Sequence, residues 1–346
     1  MAVETVTEAS AAADASGAAG RGGGDLWRFL AVKLSGAAVS LVLVVLSAFF
    51  IFRVLGGDPL DTMTRDKPAT PEQRRALVEQ YGLDQPMSVQ FAEYLKGIAT
   101  ADFGQSYQSS SPVAELIAER LPATLLLTCT GLALAAGFGL WVGARAGWRQ
   151  GSRFEKAHVG AALTLWSAPT FWLGMLMIVV FARYLDLFPV NGMRSARTPP
   201  QFWPQFFDVA HHLVLPAVTM AAVVYAQYVL IMRSSIIEEK GNDYLTVAKA
   251  KGLRDDLVRR RHAVPNALLP TVTLVFLQIG AVFNGALLTE TIFSWPGLGL
   301  LFYEAIQIPD VPLLQTCFLF FAGTTVVANT VADILYRFLD PRVRTG

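Results

Sequence analysis

Charge is what this sequence is short of. Asp, Glu, Lys and Arg make up 16% of its 346 residues and hydrophobic residues 53%, whereas a water-soluble domain is roughly a quarter charged. The bilayer is therefore read as the solvent. A net charge of +1 gives no broad basic surface for nucleic acid. Cysteine is nearly absent. Cys129 and Cys317 both lie in apolar runs, which excludes a disulfide framework and reads as two small packing residues. The histidines give no metal-ligand spacing: His211 and His212 sit at one interface, His158 and His262 near the ends of apolar runs on the other. No G-x-x-x-x-G-K-[ST] cradle occurs, so the chain has no P-loop with which to hold ATP. Nor is there a nucleophile motif. Catalytic residues, a metal and a bound cofactor are accordingly not expected.

What is present is a set of long uncharged windows: 34–52, 121–144, 157–182, 209–232, 263–289 and 311–332. The shortest has 19 residues, close to the roughly 20 a helix needs to cross the hydrocarbon core. An all-α polytopic membrane protein with six transmembrane helices is predicted. The middles of these windows carry no Asp, Glu, Lys or Arg, which argues against the rival class, an ion-coupled secondary transporter, because such a protein usually needs an intramembrane carboxylate. Basic residues fix the orientation. Eight lie between Arg233 and Arg261, whereas the loop after the third window holds only Arg183, Arg194 and Arg197, so both termini are placed in the cytoplasm.

The remaining segments divide accordingly. Residues 1–25 are Ala, Gly and Ser with few large apolar side chains, and read as a disordered cytoplasmic tail. Residues 26–346 form the transmembrane domain, with an extracytoplasmic insertion over 56–119 and a cytoplasmic loop over 234–265. In the insertion, Thr70 is a predicted N-cap with Pro71 at the first helical position and Gly82 as a stop. A second helical pattern follows in SVQFAEYLKGI. Two short helices outside the bilayer would suit docking of an extracytoplasmic partner.

The cytoplasmic loop reads YLTVAKAKGLRDDLVRRRHAVPNALLP from Tyr244. Leu245 and Ala248 share one side of a predicted helix, Val247 and Lys251 another, and Gly252 supplies a left-handed stop. A second short helix starts near Arg254, with Asp255 and Asp256 in its first turn and Arg259, Arg260 and Arg261 in its last, complementing the helix dipole. Small Ala248, Ala250 and Gly252 would let a foreign surface approach the backbone. The plainer alternative is a positively charged loop whose glycine caps a helix.

Thr246, Val247, Ala248, then Gly252 and, after nine intervening residues, His262 to Pro265 resemble the E-A-A, G, I-x-L-P motif of ABC importer permeases. Ala248, Gly252 and Pro265 match strictly, while Thr246 and Val247 depart from it. AKAKG followed by HAVPNALLP is similar to the dipeptide and oligopeptide branch. So are GGDP at 56–59, TPEQ with YGLDQP, ERLPATL at 119–125, HLVLPA at 212–217, ETIFSWPGLG at 290–299 and FLDPRVR at 338–344. The resemblance implies a type I ABC importer permease fold in the cell membrane. It implies pairing with a homologous permease subunit, two ABC ATPases holding ATP and Mg, and an extracytoplasmic binding protein delivering di- or oligopeptides. The same architecture would serve nickel chelates, glutathione or other small solutes. Tyr244, Thr246, Val247, Ala248, Ala250, Lys251, Gly252, His262 and Pro265 would form the element that couples to an ATPase, and Thr246 brings no carboxylate for a salt bridge from its position.

Four residues around the end of the fifth window, Glu290, Trp295, Pro296 and Gly297, are read as structural or gating. Asn329, a polar amide among apolar neighbours, is read as glue between helices. Asp333 is one turn before Arg337 and most simply pairs with it.

Overall fold

In lipid, a backbone N–H or C=O has no water to bond to, so an uncharged run of this length satisfies itself only by coiling into a helix. The computed structural model describes the backbone of residues 2–54, 70–80 and 84–339, with side chains from Leu26 onward except at scattered helical positions, most of them within 269–285. The tail expected over residues 1–25 thus falls outside the described side chains, and Gly82 outside the described residues. Among the described residues the regular elements are all helical; turns and loops join them, and one isolated bridge pairs Gln105 with Pro112.

Its elements are α1 (Ala2–Phe49), ending in a wider turn over Phe50–Val54; α2 (Pro71–Gln80); α3 (Met87–Thr100); α4 (Val113–Trp148); α5 (Arg153–Ser167); α6 (Thr170–Met177), continued by Ile178–Tyr184; α7 (Phe202–Glu239); α8 (Asp243–Ala250); α9 (Asp255–Val258); α10 (Val264–Ile292); α11 (Leu298–Gln307); and α12 (Val311–Leu339). Four stretches are single helices long and apolar enough to cross a membrane: Leu26–Arg53, Val113–Trp148, Phe202–Glu239 and Val311–Leu335. α10 has 29 residues, a length of about 43 Å at the helical rise, with no charge before Glu290.

The window over 157–182 departs from a straight span: α5 and the α6 helix meet at 106°. The cause is local. Ala168 is extended, at φ −78° and ψ 132°, because the ring of Pro169 disfavours helical backbone in the residue before it. Pro169 then serves as the cap of α6.

The core is the α4–α7 pair. Gly131, Ala135, Gly139, Gly143 and Gly147 recur every four residues along one face of α4 and are all buried. A Cβ at Gly139 would stand 2.6 Å from the Tyr228 Cβ, and one at Gly143 2.6 Å from the Val229 carbonyl oxygen. Small residues at this spacing let two backbones approach closely where lipid supplies no hydrophobic drive for association. α1 is far more exposed, with Leu34, Val39, Val42 and Leu43 all more than half accessible. It is tied to α12 by Lys33 and Asp333, 2.7 Å apart. Thr70 and Gln73 cap α2 reciprocally, the Gln73 N–H donating to Thr70 Oγ1 at 3.3 Å and the Thr70 N–H to Gln73 Oε1 at 3.0 Å.

Candidate functional site

The loop singled out in the sequence is not a loose connector. Leu245, Ala248 and Val258 are buried against Ala144 of α4, Met232 and Ile236 of α7, and Ala263 and Ala267 at the start of α10. One face of α8 is therefore packed on three long helices at once. Its other face, Thr246, Val247, Ala250, Lys251 and Gly252, is exposed, with Val247 51% accessible. Of the small residues expected to admit a foreign surface, Ala250 and Gly252 are placed for it. Ala248 points the other way, and its size lets α8 approach the chain's own spans. Gly252 has φ +81°, a left-handed conformation that costs an L side chain about 1–2 kcal/mol, and the chain turns there from α8 towards α9.

Polar struts complete the attachment. The Trp148 indole N–H, at the end of α4, donates to Asp255 Oδ2 at 2.6 Å, and Lys249 lies 3.2 Å from Asp255 Oδ1. Lys240 donates to the Trp148 carbonyl at 3.1 Å. The Trp148 hydrogen bond, with Lys249 beside it, holds the Asp255 carboxyl below the usual range although partial burial opposes this. The Tyr244 hydroxyl donates to Glu239 Oε2 at 2.5 Å and accepts from Asn266 Nδ2 at 2.9 Å, so one phenol joins the end of α7, α8 and the start of α10. Burial, then the Glu239 carboxylate, pushes its pKa up. The carbonyl of His262, a half-buried residue, is 3.4 Å from the same hydroxyl. Pro265 is the second residue of α10, which continues directly from a wider helical turn over Arg259–Ala263.

A second strut escaped the sequence reading. Glu155 is buried, accepts from Arg233 Nε at 2.6 Å and from the Gly151 N–H, and its own N–H is capped by Ser152 at 3.2 Å. The S-x-x-E spacing at Ser152 was the available signal.

At the opposite end, Glu290 and Trp295 are both fully buried. Glu290 accepts from Thr124 Oγ1 at 2.7 Å and from the Gly299 and Leu300 N–H groups at 2.6 and 3.2 Å. It is a carboxylate seated on the N-terminus of α11. Thr124 Oγ1 accepts in turn from the Leu298 N–H at 2.8 Å, and the Trp295 indole donates to the Ala123 carbonyl at 2.8 Å. A Cβ on Gly297 would collide with the Glu290 carboxylate, while the neighbouring Pro296 is half-buried. These residues close on one another and on α4. Asp310 repeats the design: fully buried, it accepts from Ser106 Oγ at 2.5 Å and from the Leu313 N–H in the first turn of α12 at 3.3 Å. An acid just before V-P was a helix-start signal that the sequence reading left unused.

Asn329 is exposed on α12, and its side chain makes no hydrogen bond to the described residues. Asp333 takes Lys33 of α1 as a partner, and the Arg337 guanidinium lies over the Phe29 ring at 4.4 Å, so both side chains reach across to another helix. Among the described residues no three His, Cys, Asp or Glu converge as metal ligands would.

Against this geometry, residues 135–345 match the family described as binding-protein-dependent transport system inner membrane component, and residues 26–128 match its N-terminal membrane component. The chain is 35% identical over 334 residues to the dipeptide transport system permease protein DppB of Escherichia coli K12, covering 92% of this chain and 98% of that protein. It is 34% identical over 301 residues to the oligopeptide transport system permease protein AppB of Bacillus subtilis, covering 87% and 94%. A glutathione transport system permease protein of Salmonella typhi is 35% identical over 315 residues, covering 90% and 97%.

Proposed function

The chain belongs to the inner-membrane components of binding-protein-dependent transport systems, in the dipeptide and oligopeptide permease branch, and from that membership we propose a membrane half-pore that ATPase partners drive. It pairs with a homologous permease, receives di- or oligopeptides from an extracytoplasmic binding protein that docks on the 56–119 insertion, and leaves ATP and Mg to two ABC ATPase subunits. Both termini lie in the cytoplasm, and the chain catalyses nothing itself.

The observation that supports this most is the two-faced seating of α8. Thr246, Val247, Ala250, Lys251 and Gly252 offer a short exposed surface, while Leu245 and Ala248 are packed on α4, α7 and α10. A push on the exposed face reaches three spans through the packed one. The Tyr244 and Trp148 struts make the link stiff against rotation. In the cycle, closure of the ATPases moves α8, the spans tilt and the cavity opens to the docked binding protein; hydrolysis resets it. Glu290, Trp295, Pro296 and Gly297 keep the outer ends of α4, α10 and α11 together as these helices move.

The glutathione permease relative is as similar as the dipeptide one, so glutathione, itself a small peptide, is the second substrate reading. Reconstitution with the partner subunits tests the proposal. ATP-dependent uptake of a dipeptide is expected, and uptake by the purified chain alone on an ion gradient would overturn it.

A further inference from the structure

At the end of the helices that bears α8 and α9, a cleft of about 390 Å³ opens between α4, α7 and α10. Arg145, Arg259 and Arg260 line it together with Leu140, Trp141 and Leu268. The Arg145 guanidinium lies over the Trp141 ring at 4.8 Å. Arg259 is only 7% exposed; burial, and the like charges of Arg145, Arg260 and Arg149, draw its pKa down, with Asp256 acting in the other direction. Asp256 serves both Arg259, at 2.5 Å, and Arg260, at 3.4 Å. One carboxylate thus faces a cluster of guanidinium groups, which is deficient in negative charge.

The apolar side of the cleft continues along the span. Leu134, Phe138 and Trp141 are 44%, 56% and 49% exposed. They follow at intervals of four and three, the repeat of one helix face, and the next step along that face is Arg145. Phe138 and Trp141 are stacked with ring centres 5.8 Å apart. Leu134 lies about 16 Å along the helix from Arg145. Inorganic phosphate would use the arginines and leave this track untouched. A soluble protein partner would reach the arginines but not three turns into the hydrocarbon. A phosphate joined to an acyl chain matches both parts.

We propose that this cleft binds an anionic phospholipid, its phosphate held by Arg145, Arg259 and Arg260 and one acyl chain laid on Leu134, Phe138 and Trp141. Guanidinium groups take phosphate oxygens bidentately, and basic clefts between spans at the membrane surface favour such headgroups. The inference is independent of the substrate and of the transport cycle.

The full-length chain in nanodiscs tests it, with bromine on the lipid acyl chains as a quencher of tryptophan fluorescence. Brominated phosphatidylglycerol should quench more than brominated phosphatidylcholine at the same mole fraction, and the excess should vanish in Trp141→Phe. Arg145→Gln with Arg260→Gln should lower the preference for the anionic lipid by roughly tenfold to thirtyfold, while Arg145→Lys with Arg260→Lys, which keeps the charge but not the guanidinium fork, should retain more of it than the Gln pair and controls for folding. Equal quenching by the two lipids, or an excess unchanged in Trp141→Phe or in the double Gln variant, overturns the proposal. Removal of the excess by millimolar inorganic phosphate assigns the cleft to free anions. Its loss on assembly with the ATPase partners assigns the arginines to a protein contact. Either of these results overturns it too.

Discussion

A carboxylate with no access to water survives only if its oxygens are fully bonded, and Glu290 meets that condition through Thr124, Gly299 and Leu300. Glu290→Ala leaves a hydroxyl and two N–H groups unpaired, a loss of about 3 kcal/mol or more. Glu290→Gln keeps one acceptor and loses less. Thermal unfolding of the purified chain should rank the two with Ala clearly lower; equal midpoints would mean the carboxyl is not holding α11. Asp255 gives a pH test at the opposite end of the helices. Its pKa in the folded chain is depressed, first by the Trp148 hydrogen bond, so the attachment of α9 is present above the ordinary carboxylate value of about 4 and is lost as pH falls through the lower folded value. The fluorescence difference between the chain and its Trp148→Phe variant should titrate below pH about 4, and should not do so in Asp255→Asn.

At the scale of elements, two glycine positions separate packing from backbone conformation. A Cβ on Gly143 meets the Val229 carbonyl oxygen at 2.6 Å and the Met232 Cβ at 2.8 Å, so Gly143→Val should force α4 and α7 apart and cost about 1–3 kcal/mol. Gly137, on the same helix with nothing within 4 Å, is the control: Gly137→Ala should lose nothing, as scored by thermal unfolding in detergent. Gly252 is the reverse case, with open space around it but φ +81°. Gly252→Ala should cost about 1–2 kcal/mol of local stability and leave ATP-dependent uptake measurable. Gly252→Trp adds bulk on the exposed face, and should block assembly with the ATPases or uncouple transport while the spans still insert. Wild-type uptake by the Trp variant would remove the coupling role from this turn.

The whole molecule is closed by contacts between its first and last helices. Lys33 and Asp333 form a half-exposed pair at 2.7 Å, worth about 1 kcal/mol at most in such a setting. Reversing either charge alone should lower the unfolding midpoint, and the double exchange Lys33→Asp with Asp333→Lys should restore much of it; additive losses would show that the pair does not couple. Much of this architecture was legible beforehand. Windows 34–52, 121–144, 209–232, 263–289 and 311–332 each fall largely within one helix, and Thr70 caps where its motif placed it. The window over 157–182 is uniformly apolar, so hydropathy does not register its bend; the residue that makes the bend, Pro169, is visible in the sequence and acts by restricting Ala168. Gly131 to Gly147 went unread although their spacing of four was visible, since only the facing helix turns small residues into a close approach.

The division has a physical basis. Helix formation in lipid is a local matter, fixed by the absence of water and charge over some twenty residues, and the left-handed stop at Gly252 is likewise written in one residue. The sequence alone therefore determined the helical class, the membrane and the two-sided helix after Tyr244. The pairing of groups far apart in the chain belongs to the tertiary structure: Thr124 reaches Glu290 across 166 positions and Ser106 reaches Asp310 across 204. So does the direction in which Ala248 points. A buried hydrogen bond or a packed methyl depends on what lies opposite, and no periodicity along one strand of sequence specifies that.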